Sequence, residues 1–211
     1  MPTYTSSFIY KVSDWIMKLS LVNLLWICFS ILGLGFLGLF PATVAMYTVV
    51  RKWMKGNTDV SVTKTFIHAY KGSFLKANLL GYISSVGGLV LYADYLLVRN
   101  MEGMQYIVML LLLVTVSFYY MMMLFFVFPV YVHYDIKLME CFKYAFIIGA
   151  SYPLRTIYIL FVGFVVWYIT ASIPIILLFF SGSVMCLVVM RFAYVAFKKT
   201  EERNRNLTSA A

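Results

Sequence analysis

The sequence predicts an all-α protein: a polytopic transmembrane helical bundle of about six spans, with both termini cytoplasmic and two amphipathic elbow helices on the cytoplasmic side. Three observations predict it. Of the 211 residues, 63% are hydrophobic and 12% charged, against about 45–50% and about 25% in soluble domains. The apolar residues gather into long uncharged runs, Leu19 to Val50, Gly103 to Tyr134 and Thr156 to Met190, each long enough to cross a hydrocarbon core about 30 Å thick. Lys and Arg are confined to the stretches between these runs, and such clusters mark the cytoplasmic side of a membrane protein. One integral domain, residues 1–197, is expected, followed by a polar cytoplasmic tail, 198–211. The first apolar segment lacks a small-residue cleavage site and is expected to stay as an anchor.

The first run sets the topology. As a single helix, Leu19 to Val50 would extend about 48 Å, too far for one crossing. Gly33, Gly35 and Gly38 loosen its middle, and Pro41 suits the first turn of a new helix, where its missing N–H costs nothing. A hairpin is therefore expected, with legs Trp15 to Leu34 and Phe36 to Trp53 and with Lys18, Arg51 and Lys52 snorkelling at the ends. The later spans are Ala77 to Val98, Met104 to Val130 as one long tilted helix, Thr156 to Ser172, and Pro174 to Phe197, the last two divided by Pro174. With both termini inside, all 17 Lys and Arg residues except Arg99 fall on the inner side. The formal charge of +9 is then a product of topology. No soluble module interleaves basic residues with stacking aromatics, so nucleic acid is not an expected partner.

Two inner segments read alike. In "DVSVTKTFIHAYKGSF", Val62, Phe66, Tyr70 and Phe74 form an apolar stripe beside Lys64, His68 and Lys71. In "DIKLMECFKYAFIIGA", Leu138, Cys141, Phe142 and Ala145 oppose Lys137, Glu140 and Lys143. Asp59 and Asp135 stand where N-caps are expected. Both segments are expected to lie along the cytoplasmic surface as elbows, anchoring the bundle on one face or docking a partner through Lys64, Phe66, His68, Lys71, Glu140, Phe142 and Lys143. A shift of 76 residues superimposes them and the spans that follow, matching Phe66 with Phe142, Tyr82 with Tyr158 and Gly87 with Gly163, the pattern of a parallel repeat.

Residues that carry chemistry are few. Cys28, Cys141 and Cys186 lack metal or redox spacing and read as buried thiols. His68 and His133 belong to no ligand motif, and there is neither a nucleotide-binding glycine loop nor a set of paired carboxylates. A non-enzymatic protein without cofactor or metal is expected. Asp94 is the acid nearest an apolar span and reads as half of an interfacial pair with Arg99 or, alternatively, as an ion site. Asn23 and Asn78 read as hydrogen bonds between helices. The bilayer itself is the first partner, with Trp15, Trp26, Trp53 and Trp167 near the span boundaries.

"LVNLLWICFSILGLGFLGLFPATVAMYTVVRKWMKG", with "TKTFIHAYKGSFLKANLLGYI" and "YPLRTIYI", resembles the YesL-like family of small membrane proteins, largely from Gram-positive bacteria. The Asn23-Leu24 and Trp26 signature, the Pro41-Ala42-Thr43 turn and Arg51-Lys52-Trp53 carry the resemblance. It spans about Trp15 to Phe197 and departs at Gly72-Ser73. The family has no established activity. Its members stand beside carbohydrate uptake systems, so the resemblance implies an accessory role in sugar import, with ABC transporter permease or ATPase subunits as partners. A small independent transporter or channel is the alternative, with Asp94 or the asparagines lining a path.

Overall fold

The computed structural model describes the backbone of residues 4–134 and 136–209, and side chains from Tyr10 to Glu202 except at positions 135 and 174. Among the described residues there are seven helices and no strand: α1 (Tyr4–Leu32), α2 (Phe36–Met54), α3 (Val62–Val98), α4 (Gly103–His133), α5 (Leu138–Ser151), α6 (Pro153–Ser172) and α7 (Pro174–Ser209). Five stretches are long and apolar enough to cross a membrane: Tyr10–Leu32, Val62–Val98, Gly103–His133, Pro153–Ser172 and Ile175–Glu202. The molecule is a multi-pass membrane protein. Its apolar outer surface is what lipid covers, while helices keep every backbone pair internal.

The breaks between helices have local causes. At the α1–α2 turn, Leu34 (φ 59) and Gly35 (φ 72) adopt left-handed backbone conformations, and glycine takes that region without steric penalty. Proline ends α5 and α6: Tyr152 (φ −136, ψ 60) precedes Pro153, and Ile173 (φ −133, ψ 86) precedes Pro174. A proline ring crowds the residue before it out of the helical region. The run from Gly103 forms a single helix, as its sequence predicts, with Pro129 buried inside it.

The hairpin legs fold back where the glycines predict, and α2 becomes the centre of the bundle. It packs on α1, α3, α4 and α7, and Ala42, Ala45, Val49 and Val50 are fully buried. Backbone contact makes this possible. A Cβ on Gly33 would overlap the Gly38 backbone, and one on Gly38 would lie 2.5 Å from the Phe29 and Ser30 carbonyl oxygens. Small residues let helices approach this closely when lipid supplies no hydrophobic drive between them.

Two asparagines lock the bundle. Pro41 is the sixth residue of α2 rather than part of its first turn, so it lacks the N–H that would pair with the Leu37 carbonyl. Asn78 Nδ2 donates to that oxygen instead, at 3.0 Å, although Asn78 Oδ1 stays buried without a partner. Asn23, fully buried, lies against α7. Its Nδ2 donates to the carbonyls of Leu177 (3.1 Å) and Leu178 (2.7 Å), and its Oδ1 accepts from the N–H groups of Gly182 (2.9 Å) and Ser183 (3.0 Å). Leu178 O and Gly182 N pair with each other in an undisturbed helix, so the carboxamide acts as an extra peptide group at this turn. Gly182 gives it room, since a Cβ there would meet Asn23 Oδ1 at 3.1 Å.

Three expectations change. The first elbow is not a separate helix, because Val62 to Phe74 is the start of the 37-residue α3. No proline interrupts that stretch, so the helix continues for about 55 Å. Asp59 is not a cap, since α3 begins after Ser61. Asp135 lies outside the described residues, and Lys137 precedes α5. The second elbow, α5, is a distinct helix of 14 residues. The starts of α3 and α5, Val62 and Leu138, keep the 76-residue shift. Two of the three thiols are buried, but Cys28 is exposed. The α1–α2 turn also reaches only the middle of α3, where Asn78 and Tyr82 meet Leu37 and Phe36. The rest of α3 and the facing part of α4 extend past it. Leu32, Leu34 and Phe36 at the turn are 75%, 81% and 84% exposed, so the turn itself presents an apolar surface.

Thermal unfolding in detergent tests both locks. Asn23→Leu is expected to lose about 1–2 kcal/mol, since it removes four hydrogen bonds between α1 and α7. Asn78→Leu should lose less, because its Oδ1 is already unsatisfied. Gly38→Ala should destabilise more than Gly35→Ala, which has open space around it and meets only the backbone strain of about 1 kcal/mol.

A basic cavity at one end of the bundle

One end of the bundle gathers most of the polar chemistry. Trp15 of α1 meets Trp53 of α2 edge to face at 5.5 Å, and Lys52 Nζ donates to Thr65 Oγ1 of α3 at 3.3 Å. His133 at the end of α4 lies 4.4 Å, ring to ring, from Phe197 of α7. The start of α3, the ends of α2 and α4 and the C-terminal part of α7 therefore converge, and their basic residues come with them. The backbone of α7 runs unbroken across residue 197.

A cavity of about 860 Å³ opens there, with Arg51 from α2, His68 and Lys76 from α3, His133 from α4, Lys137 before α5 and Glu140 from α5 in its walls. Arg51 anchors it. Its Nη2 donates to the His133 carbonyl (3.0 Å) and its Nε to His133 Nδ1 (3.4 Å). With Nδ1 accepting, the imidazole proton sits on Nε2, which faces Glu201 Oε1 at 3.2 Å. A chain of hydrogen bonds thus ties α2 to α4 and α7. Beside it, burial pushes the Tyr134 hydroxyl up to about 12, reinforced by the negative charge of Glu201. Burial likewise pushes the Cys141 thiol up to about 11. Both groups stay neutral near pH 7, and Cys141 is no thiolate nucleophile.

The residues singled out in the sequence divide by chemistry. Lys64, His68 and Lys71 are exposed on α3, and Glu140 and Lys143 are exposed on α5. Phe66 is fully buried, its ring 5.5 Å from Phe29, and Phe142 is half-buried against the core. The aromatic stripes thus face inward and leave the charges outside. Asn23 and Asn78 are spent on helix backbones within the bundle. Asp94 is exposed, but it does not pair with Arg99. The ion pairs among the described residues are Asp14 with Lys18 and Glu201 with His133. Residues five apart on a helix point in different directions, which is the physical reason. Among the described residues no three His, Cys, Asp or Glu side chains are grouped to hold a metal ion.

What sequence reasoning missed is that His68, Lys76, His133 and Lys137 share one cavity with Arg51. Each was read on its own helix, and only the packing of α2 between α3 and α4 joins them.

Residues 19–95 match the family model described as "Protein of unknown function, DUF624". Three proteins of Bacillus subtilis (strain 168) are similar over nearly the whole length. "Uncharacterized protein YteU" is 35% identical over 192 residues, covering 91% of this chain and 86% of the relative. "Uncharacterized protein YesL" is 34% identical over 196 residues, 93% and 92% of the two chains, and "Uncharacterized protein YesV" 33% identical over 205 residues, 97% and 98%. No solved structure matches. Identity at this level over most of both chains places the chain in the DUF624 family, the YesL-like group.

Proposed function

We propose that the chain is a non-enzymatic integral subunit of a transport assembly in the cell membrane, linked to carbohydrate import of the ABC type. Both termini are cytoplasmic, and the α1–α2 hairpin returns the chain to the side on which it starts. It docks a permease or ATPase subunit through Lys64, His68 and Lys71 on α3 and Glu140 and Lys143 on α5.

One observation carries this reading. The charged faces of α3 and α5 are exposed while Phe66, Cys141 and Ala145 behind them are fully buried. Charges on a helix held so firmly from behind form a rigid surface of fixed pattern, the kind that selects a partner by electrostatic complementarity. The resemblance to a family found beside carbohydrate uptake systems supports the choice of partner class. The alternative, an independent transporter or channel, needs a path through the bundle. The centre occupied by α2 weighs against one.

Affinity purification from native membranes at native expression tests the proposal. A transporter permease or ATPase subunit is expected in stoichiometric amount, reduced at least about tenfold by Lys64→Glu with Lys71→Glu, since charge reversal adds repulsion to the lost attraction. Recovery of the chain alone from native membranes contradicts the proposal.

A further inference from the structure

We infer that the cavity walled by α2, α3 and the α4–α5 connection is a binding site for a phosphate-bearing anion, either the headgroup of an anionic phospholipid or a free phosphate ester. This goes beyond partner docking, and its test uses Lys76 and Lys137, neither of which belongs to the docking surface.

The charge balance is the first argument. Arg51, Lys76 and Lys137 line the cavity from three separate segments, against the single described carboxylate of Glu140. Among the described residues none of the three cations lies within ion-pair distance of a carboxylate. Glu201, held on His133, also acts on Arg51, but Lys55 acts on the same imidazole, so four described cations around the cavity face two described carboxylates, Glu140 and Glu201. Like charges gathered in a concave, partly apolar wall focus a positive potential, which an anion relieves.

Geometry gives the second. Arg51 is half-buried, and its hydrogen bonds to His133 employ Nε and Nη2. The guanidinium is thereby fixed, and Nη1 has no partner among the described residues. A planar fork held this way is suited to phosphate oxygens. Lys76 and Lys137 supply mobile ammonium groups from the facing walls.

Size and setting give the third. About 860 Å³ falls within the roughly 300–1,000 Å³ of small-molecule sites and far exceeds a bare phosphate. Val44, Ile136 and Leu138 add apolar wall for the carbon part of an ester. The cavity also lies at the basic end of a membrane bundle, where basic pockets between helices meet lipid headgroups.

The test uses the full chain in two settings, with glycerol 3-phosphate added to delipidated protein in detergent and phosphatidylglycerol presented in nanodiscs followed by native mass spectrometry. Saturable 1:1 binding of either probe is expected. Lys76→Gln with Lys137→Gln should weaken it roughly thirtyfold, about fivefold for each charge removed. The control pair Arg191→Gln with Lys198→Gln removes the same charge from exposed positions outside the cavity and should leave binding unchanged. Binding of glycerol 3-phosphate identifies a soluble ester, and retention of phosphatidylglycerol alone identifies a lipid headgroup. Absence of saturable binding for both probes overturns the inference. So does equal weakening by the cavity pair and the control pair.

Discussion

Where α1 turns back into α2, Gly33 and Gly38 touch backbone to backbone, and the arrangement of the bundle depends on that contact. In lipid, apolar side chains gain nothing by leaving one another for the solvent, so helix association rests on close packing and on hydrogen bonds. The absence of a side chain on both glycines lets α2 fold back directly against the end of α1. From there it reaches α1, α3, α4 and α7 and carries Arg51 to the wall of the basic cavity. A larger residue at either glycine forces the two legs apart at the turn.

The same environment explains why the two buried asparagines address backbone rather than side chains. A carbonyl that loses its helical N–H is expensive in hydrocarbon. Asn78 answers the carbonyl released by Pro41, and Asn23 joins both donors and acceptors across a turn of α7. Each is a contact between helices that fixes both position and rotation. Both asparagines are structural locks between helices.

Legibility in the sequence followed the range of the forces involved. The glycine turn at 33–35 and the break at Pro174 were readable because glycine and proline act on their immediate neighbours. The single helix at 103–133 was readable because nothing interrupts it before Pro129. The continuation of α3 through Phe74 was not, since an amphipathic stretch without a breaker fits a surface helix and the first third of a longer one equally well. The stripe of Phe66 and Tyr70 was visible, but what it packs on, Phe29 of α1, depends on the hairpin closing. The cavity was least legible. Arg51, His68 and His133 are widely separated in sequence and become neighbours only through the packing of three helices.

The central claim is that α3 crosses the membrane with the α2–α3 connection on the cytoplasmic side and the α3–α4 connection outside. Asn57 and Asn100 are exposed at opposite ends of α3, and Asn57 avoids the left-handed backbone of its neighbour Gly56 (φ 91). Cysteine introduced at each in turn, with Cys28, Cys141 and Cys186 replaced by Ala, reports the side through an impermeant maleimide applied to vesicles of each orientation. The account predicts labelling of residue 57 only from the cytoplasmic side and of residue 100 only from the outside. Labelling of residue 57 from the outside, or of both residues from one side, contradicts it.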